Sequence, residues 1–145
     1  MNNGGLTTYQ AGATQAYLNR KLQKLCDDIL RPYGITKTQW LVIGAILDEQ
    51  ENGVRLSNLA EKLGTTMSYL TTTINLLESR GILERKSNNE DTRSKQILVA
   101  DDFIDTCAEI EKILREQLRK TIYAKIDPSE FRVYLKVMSE LAAIE

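Results

Sequence analysis

The side chains of this chain with a chemistry to offer are mostly hydroxyls and cations, and they gather between residues 55 and 95. Ser57, Thr66, Ser68, Tyr69, Thr71, Thr72 and Thr73 are followed there by Arg80, Lys86, Arg93 and Lys95, with Asp91 two residues before Arg93. Hydroxyls can bond phosphates or base edges, and a threonine methyl can touch the methyl of thymine. A hydrolytic or metal centre is not in view. The chain has no histidine, which removes the usual general base and the commonest metal ligand. Cys26 and Cys107 lie far apart without CxxC spacing, so neither a zinc site nor a disulfide framework is suggested. The neighbouring carboxylates Asp27 and Asp28, and Asp101 and Asp102, read as solvated helix-end residues. No cofactor, metal or enzymatic activity is expected.

The elements that must position these groups can be read from spacing. Ser57 is a good N-cap residue, and Leu59, Ala60 and Leu63 recur at helical spacing before Gly64, which predicts a helix over Ser57–Leu63. A second helix is predicted from Thr66 to Arg80, its inward stripe made of Met67, Leu70, Ile74 and Leu77, with Gly81 as a left-handed stop. Thr71, Thr72 and Thr73 are β-branched and by local preference favour a strand; the apolar stripe overrules them and leaves their hydroxyls on the outer face. Next, Ile82, Leu83 and Arg85 lead into the turn formers SNNED, and Gln96, Ile97, Leu98 and Val99 resume an extended apolar pattern, which predicts a hairpin with a charged tip. Two helices joined by a tight turn and followed by a hairpin describe a winged helix-turn-helix, whose second helix enters the DNA major groove. On that basis the DNA-contact candidates are Ser57, Thr66, Ser68, Tyr69, Thr72, Arg80, Lys86, Asp91, Arg93 and Lys95. The alternative is a solvated polar face that binds nothing; the adjoining hairpin favours the DNA-reading assignment.

Charge distribution points the same way. The net charge is −1 with a pI near 5.6, which argues against a surface that binds polyanions everywhere. Asn52 to Lys95 nonetheless carries seven basic and five acidic residues, a net of +2, whereas Gln96 to Glu145 carries seven basic and ten acidic, a net of −3. The positive excess therefore sits on the reading module. It is modest, so salt-dependent but selective binding is expected.

Outside this module the pattern is helical. Residues 1 to 5 are expected to be a disordered tail. A long amphipathic helix from about Thr8 to Leu30 carries Leu18, Leu22, Leu25 and Ile29, widened by Cys26 and Leu30, and ends near Pro32. The capping box Thr36 to Gln39 opens a helix from Lys37 to about Gln50 through Trp40, Leu41, Ile43, Gly44 and Leu47. Asp102 begins a third long helix striped by Phe103, Cys107, Ile110, Leu114, Leu118 and Ile122. Asp127, Pro128, Ser129 and Glu130 then start a last one, which runs to about Ala143. No stretch approaches the roughly 18 apolar residues of a membrane span. The opening MNNGGLTTYQ has neither a basic start nor an apolar run, so a cytoplasmic chain without a secretory signal is expected. The first helix and the last two have more apolar surface than the reading module can cover, so they need a partner or must close on one another.

The chain resembles the MarR family of transcriptional regulators along nearly all of its 145 residues. The most specific match is the wing, where the family's Asp-x-Arg corresponds to Asp91, Thr92 and Arg93. Upstream, LSNLAEKLGTTMSYLTTTINLLESRGILER fits the family's helix-turn-helix in length and apolar positions, including Leu77, Glu78, Gly81 and Arg85. The resemblance implies a mainly α fold with a small β-hairpin wing, in a single domain of residues 1–145. Residues 1–34 and 101–145 would be dimerisation helices, and 35–100 the winged helix-turn-helix region. It implies a homodimer on a pseudo-palindromic operator, most often as a repressor, with half-sites about 10 to 10.5 base pairs apart. It also implies a small aromatic or anionic effector held where the dimer helices meet the reading module; Tyr17, Arg20 and Trp40 lie on segments able to line such a site. Their alternatives are core packing for Trp40 and a solvated dimer surface for the other two. One branch of the family senses peroxides through a cysteine in the first helix, which makes Cys26 a possible redox residue. Its neighbour Asp27 and apolar surroundings would instead raise its pKa and favour a structural thiol, and Cys107 in a helix stripe reads as core. Many members place an arginine on the outer face of the recognition helix where this chain has Thr72. That departure and the acidic pI motivate a second function class, a winged-helix protein-interaction module that has lost operator binding.

Overall fold

The computed structural model describes residues 5–88 and 91–145, and the side chains of all of these except 88 and 91–95. The expected disordered tail lies outside the described residues, Gly5 excepted. The order is α1 (Thr8–Leu30), a 3-10 turn (Arg31–Tyr33), α2 (Lys37–Asp48), α3 (Leu56–Leu63), α4 (Met67–Ser79), β1 (Leu83–Asn88), β2 (Asp91–Val99), α5 (Asp101–Thr121) and α6 (Pro128–Ala142). The fold is thus mainly α with one small antiparallel hairpin. It divides into two compact units, Met1–Ile110 and Glu111–Glu145.

In the first unit, helix starts are set by local hydrogen bonds that relieve the orphan N–H groups of a first turn. Thr7 and Gln10 cap α1 reciprocally, and Thr36 and Gln39 do the same for α2. A third group joins at α2: Asp27 of α1 accepts the Lys37 N–H at 2.6 Å from a half-buried position. Asp27 is therefore not the solvated helix-end residue expected from sequence. It carries negative charge to a helix N-terminus, where the dipole favours it. On α1, Cys26 and Leu30 are buried and Leu18, Leu22, Leu25 and Ile29 half-buried; on α2, Val42, Ile43, Ala45 and Ile46 are buried. Leu41 is exposed, contrary to its expected place in the stripe, because the packed face of α2 is centred on Ile43 and Ile46. Helix α2 also ends at Asp48, ahead of the expected Gln50. The Gln50 side chain is used elsewhere: its amide donates to the Val99 carbonyl at 2.8 Å and accepts the Val99 N–H at 2.9 Å.

The start of α3 differs from expectation by one cap. Arg55 is the N-cap, in extended geometry and without a side-chain hydrogen bond, and Ser57 lies inside the first turn. Tertiary pairing decides this, since the preceding Val54 is held in a bridge to Ile97 of β2. Gly64 ends α3 at φ +61°, a region that costs a residue with a Cβ about 1–2 kcal/mol. Thr66 then caps α4, its hydroxyl accepting the Tyr69 N–H at 3.1 Å. The buried face of α4 is Leu70, Thr73, Ile74 and Leu77. Met67 is 46% exposed and leaves the stripe, whereas Thr73, expected on the outside, is only 6% exposed. The reason is spacing: Thr73 stands three residues after Leu70 and four before Leu77, in line with both. After Arg80, Gly81 adopts φ +74°, and the Ile82 and Gly81 N–H groups bond back to Leu77 and Glu78, a Schellman stop of the kind expected.

The hairpin pairs Leu83 with Val99, Glu84 with Leu98, Arg85 with Ile97 and Lys86 with Gln96. Its buried residues, Leu83, Ile97 and Val99, join the core of α2, α3 and α4. Bonds from Gln50 and from Gln96 to the Asn52 carbonyl tie β2 to the chain between α2 and α3. In α5, Cys107 and Ile110 are buried.

The second unit takes the end of α5 and all of α6. Asp127 caps α6 by accepting the Ser129 and Glu130 N–H groups, with Pro128 at the first helical position, as expected. Phe131 lies between Tyr123, at a centroid distance of 4.3 Å, and Tyr134, at 6.2 Å. Val133, Leu135, Val137, Met138, Leu141 and Ile144 are exposed. Among the described residues no helix is long and apolar enough to cross a membrane.

Candidate nucleic-acid interface

With Leu70, Ile74 and Leu77 anchored in the core, helical geometry presents Ser68, Tyr69 and Thr72 outward, and all three are exposed. Burying those three apolar side chains supplies about 1.5–3 kcal/mol each, enough to hold a helix whose threonines disfavour it locally. Thr72 donates its hydroxyl to the Ser68 carbonyl at 3.1 Å and keeps its lone pairs and methyl for another partner. Thr66 uses its oxygen as the helix cap and retains a hydroxyl proton. Ser57 is exposed in the first turn of α3. Asn75 and Ser79 continue the outer face of α4 toward its C-terminus.

The cations around this face have separate surroundings. Lys86 pairs with Glu84, its neighbour on the same face of β1, at 3.2 Å, and that hydrogen bond, with the attraction of Glu84 and Asp101, pushes its pKa up. Arg80 stands at the end of α4 with its guanidinium against Gly34, where an added Cβ would collide with it. Arg85 reaches from β1 to the last turns of α4, its Nε 3.2 Å from Glu78 and a terminal nitrogen donating to the Asn75 side-chain oxygen at 2.7 Å. A cleft lined by Arg55, Lys62 and Arg85, with Glu49 among them, adds positive charge beside the hairpin. Of the turn expected at Asn88, Asn89 and Glu90, the backbone of Asn88 ends β1, whereas Asn89 and Glu90 and the side chains of Asp91, Arg93 and Lys95 lie outside the described residues, although β2 carries the last three in its backbone.

Of the residues assigned to an effector, Tyr17 and Arg20 are neighbours on α1, with the guanidinium 6.0 Å from the ring centroid. Both are exposed, whereas Trp40 is half-buried on α2. Cys26 is buried, and burial pushes its thiol pKa up, opposed in part by Lys37 and reinforced by Asp27. Burial pushes Cys107 up to about 11. Both thiols are thereby kept protonated at neutral pH and are poor nucleophiles.

Sequence reasoning assigned no role to Asn75 or Arg85. The signal for Asn75 was its place three residues after Thr72 on the outer face. The pairing of Arg85 across a turn had no local signature, because a chain reversal brings residues 75, 78 and 85 together.

Residues 35–95 match the model of the MarR family. The HTH-type transcriptional regulator PapX of Escherichia coli is 28% identical over 80 residues, covering 55% of this chain and 49% of that protein. The chain thus spans about half the length of that curated relative. Among solved structures, a MarR-family transcriptional regulator from Rhodococcus sp. RHA1 superposes with a TM-score of 0.83 at 16% identity, covering 95% of this chain and 96% of that one. The MepR–DNA complex of S. aureus gives 0.76 at 18%, covering 97% and 100%. At these identities the structural likenesses establish the fold, and the family itself is one of transcription regulators rather than enzymes. The match to the MarR family model thus covers residues 35–95, the helix-turn-helix and hairpin region, while the fold of solved MarR-family structures extends over nearly the whole chain.

Proposed function

We propose that this chain is a sequence-specific DNA-binding transcriptional regulator, a repressor that acts as a homodimer on a pseudo-palindromic operator. The observation that carries this is the two-sided build of α4: Leu70, Ile74 and Leu77 are fully buried, and Ser68, Tyr69 and Thr72 stand exposed on the other face beside a hairpin. Such a helix is held rigidly and presents polar groups outward, which a major-groove reader requires. Arg93 and Lys95 of β2 are assigned to the adjoining phosphates or minor groove, with Asp91 orienting Arg93, and Ser57, Thr66, Arg80 and Lys86 to backbone contacts.

Dimerisation is supported by the exposed apolar residues of α6 and, separately, by Leu6, Tyr9 and Tyr17 at the start of the first unit. Large apolar side chains clustered on one exposed element are a common mark of a protein–protein interface. The effector assigned to Tyr17, Arg20 and Trp40 is a small aromatic anion, for which the cation and aromatic rings supply complementary groups.

The test is selection of duplex DNA from a random library by the full chain, with sedimentation of the free protein and of its complex. Enrichment of an inverted repeat bound by two chains is the expected result. Recovery of no sequence above background would refute DNA reading, and a free chain sedimenting as a monomer at micromolar concentration would refute the homodimer.

A further inference from the structure

We propose that Glu78, Arg85 and Asn75 form a clamp that sets the base of the hairpin against the recognition helix in the pose that binds DNA, with Arg85 and Glu78 as positioning residues. The inference rests on the DNA-binding assignment above and extends it to residues given no role there.

The chemistry of the three groups fixes their arrangement. A guanidinium has only donors, so the Asn75 atom that faces it must be the carbonyl oxygen, and the amide N–H groups are left to point elsewhere. Arg85 uses two different nitrogens at once, Nε toward Glu78 at 3.2 Å and a terminal nitrogen toward Asn75 at 2.7 Å. Asn75 and Glu78 are one helical turn apart, so the planar fork spans the turn and sets both distance and angle between strand and helix. The Arg85 and Glu78 side chains are 30% and 38% exposed. Half-shielded from water, the pair holds better than a freely solvated one, yet it is not part of the hydrophobic core.

The clamp also orients Asn75. This residue lies on the outer face of α4, three residues after Thr72. With its oxygen turned toward Arg85, it directs its two N–H donors to whatever meets that face. A phosphate oxygen or an acceptor on a base edge fits such a group.

Glu78 supplies the decisive test, because two explanations of its presence predict opposite signs. As a bystander, a carboxylate near DNA repels phosphate, and Glu78→Gln would tighten binding. As part of the clamp, it holds Arg85, and Glu78→Gln loosens the hairpin and weakens binding. Arg85→Lys separates positioning from direct contact in the same way. Lysine keeps the charge and substitutes well as a point-charge phosphate contact, but it cannot span Glu78 and Asn75.

Binding is measured by fluorescence anisotropy on the duplex selected by the wild-type chain, across several salt concentrations, with thermal melts of each variant. Both variants should bind about three- to fivefold more weakly, the scale of a half-exposed ion pair, with the salt slope unchanged and the melting temperature near that of wild type. Tighter or unaltered binding by Glu78→Gln, or wild-type affinity in Arg85→Lys, would overturn the clamp. A wild-type chain that selects no duplex would instead refute the DNA-binding assignment, and the clamp's role with it.

Discussion

Thr72 and Thr73 are adjacent, identical in chemistry and assigned opposite duties, which makes them a sharp test of the recognition helix. Thr72 is exposed, and its hydroxyl bonds only the carbonyl one turn back. Replacing it with alanine gains about 0.5 kcal/mol of helix propensity. The lost hydrogen bond is exchanged for water at little cost. The expected melting temperature is therefore unchanged or raised by about 1–2 °C. DNA reading should change, by about 1–3 kcal/mol of discrimination at one base pair, or about 5- to 150-fold. Thr73 is 6% exposed among Leu70, Ile74 and Leu77. Its replacement by alanine removes a buried methyl and hydroxyl, a loss of about 0.5–1.5 kcal/mol after the propensity gain, which lowers the melting temperature by about 1–6 °C. Sequence preference should not move. The assay is calorimetry of both variants together with anisotropy on a panel of single-substituted duplexes. Thr72→Ala with wild-type preference across the panel, or Thr73→Ala with an altered one, would show that the outer face has been drawn on the wrong side of the helix.

Three further outcomes are expected. Gly53→Ala combines a backbone at φ +73° with a Cβ placed 2.9 Å from the Gln96 Cβ, whereas Gly64→Ala meets open space at φ +61°; chemical denaturation should find Gly53→Ala the more destabilising by at least about 1 kcal/mol, and equal losses would contradict the packing of Gln96 on the Gly53 turn. Because burial raises both thiol pKa values, that of Cys107 to about 11, native protein at pH 8 should react slowly with a disulfide reagent and rapidly once denatured; fast labelling of Cys26 in the native state would reopen a redox role. For the wing, Arg93→Ala should leave thermal stability nearly unchanged and reduce the salt slope of DNA binding by about 1 per subunit, with Asp91→Ala weakening binding less; a wild-type slope in Arg93→Ala would remove it from the phosphate contacts.

Much of this architecture is legible in the amino-acid sequence, because its determinants are local. Capping boxes act over three residues, so Thr36 and Gln39 announce α2, and Asp127 with Pro128 announces α6. Gly81 marks the end of α4 for the same reason: a left-handed residue is a property of one position. Periodicity carried the rest, and the burial of Leu70, Ile74 and Leu77 follows from their spacing alone. The choice of Ser68, Tyr69 and Thr72 as outward groups follows from the same count.

Tertiary structure decided what depends on distant partners. Thr73 is buried and Met67 exposed because the width and direction of the packed face are set by the neighbouring core, to which a one-dimensional stripe is blind. Arg55 rather than Ser57 caps α3 because Val54 is held by Ile97 on a strand some forty residues later. Asp27 is recruited from α1 to the start of α2, and Gln50 stands in for a strand along Val99. The bonds from Arg85 to Glu78 and Asn75 exist only once the chain has turned back at Gly81. In each case the energy lies in a hydrogen bond or packing contact between segments far apart in sequence, and such a contact leaves no periodic or local trace for a reading of the sequence to find.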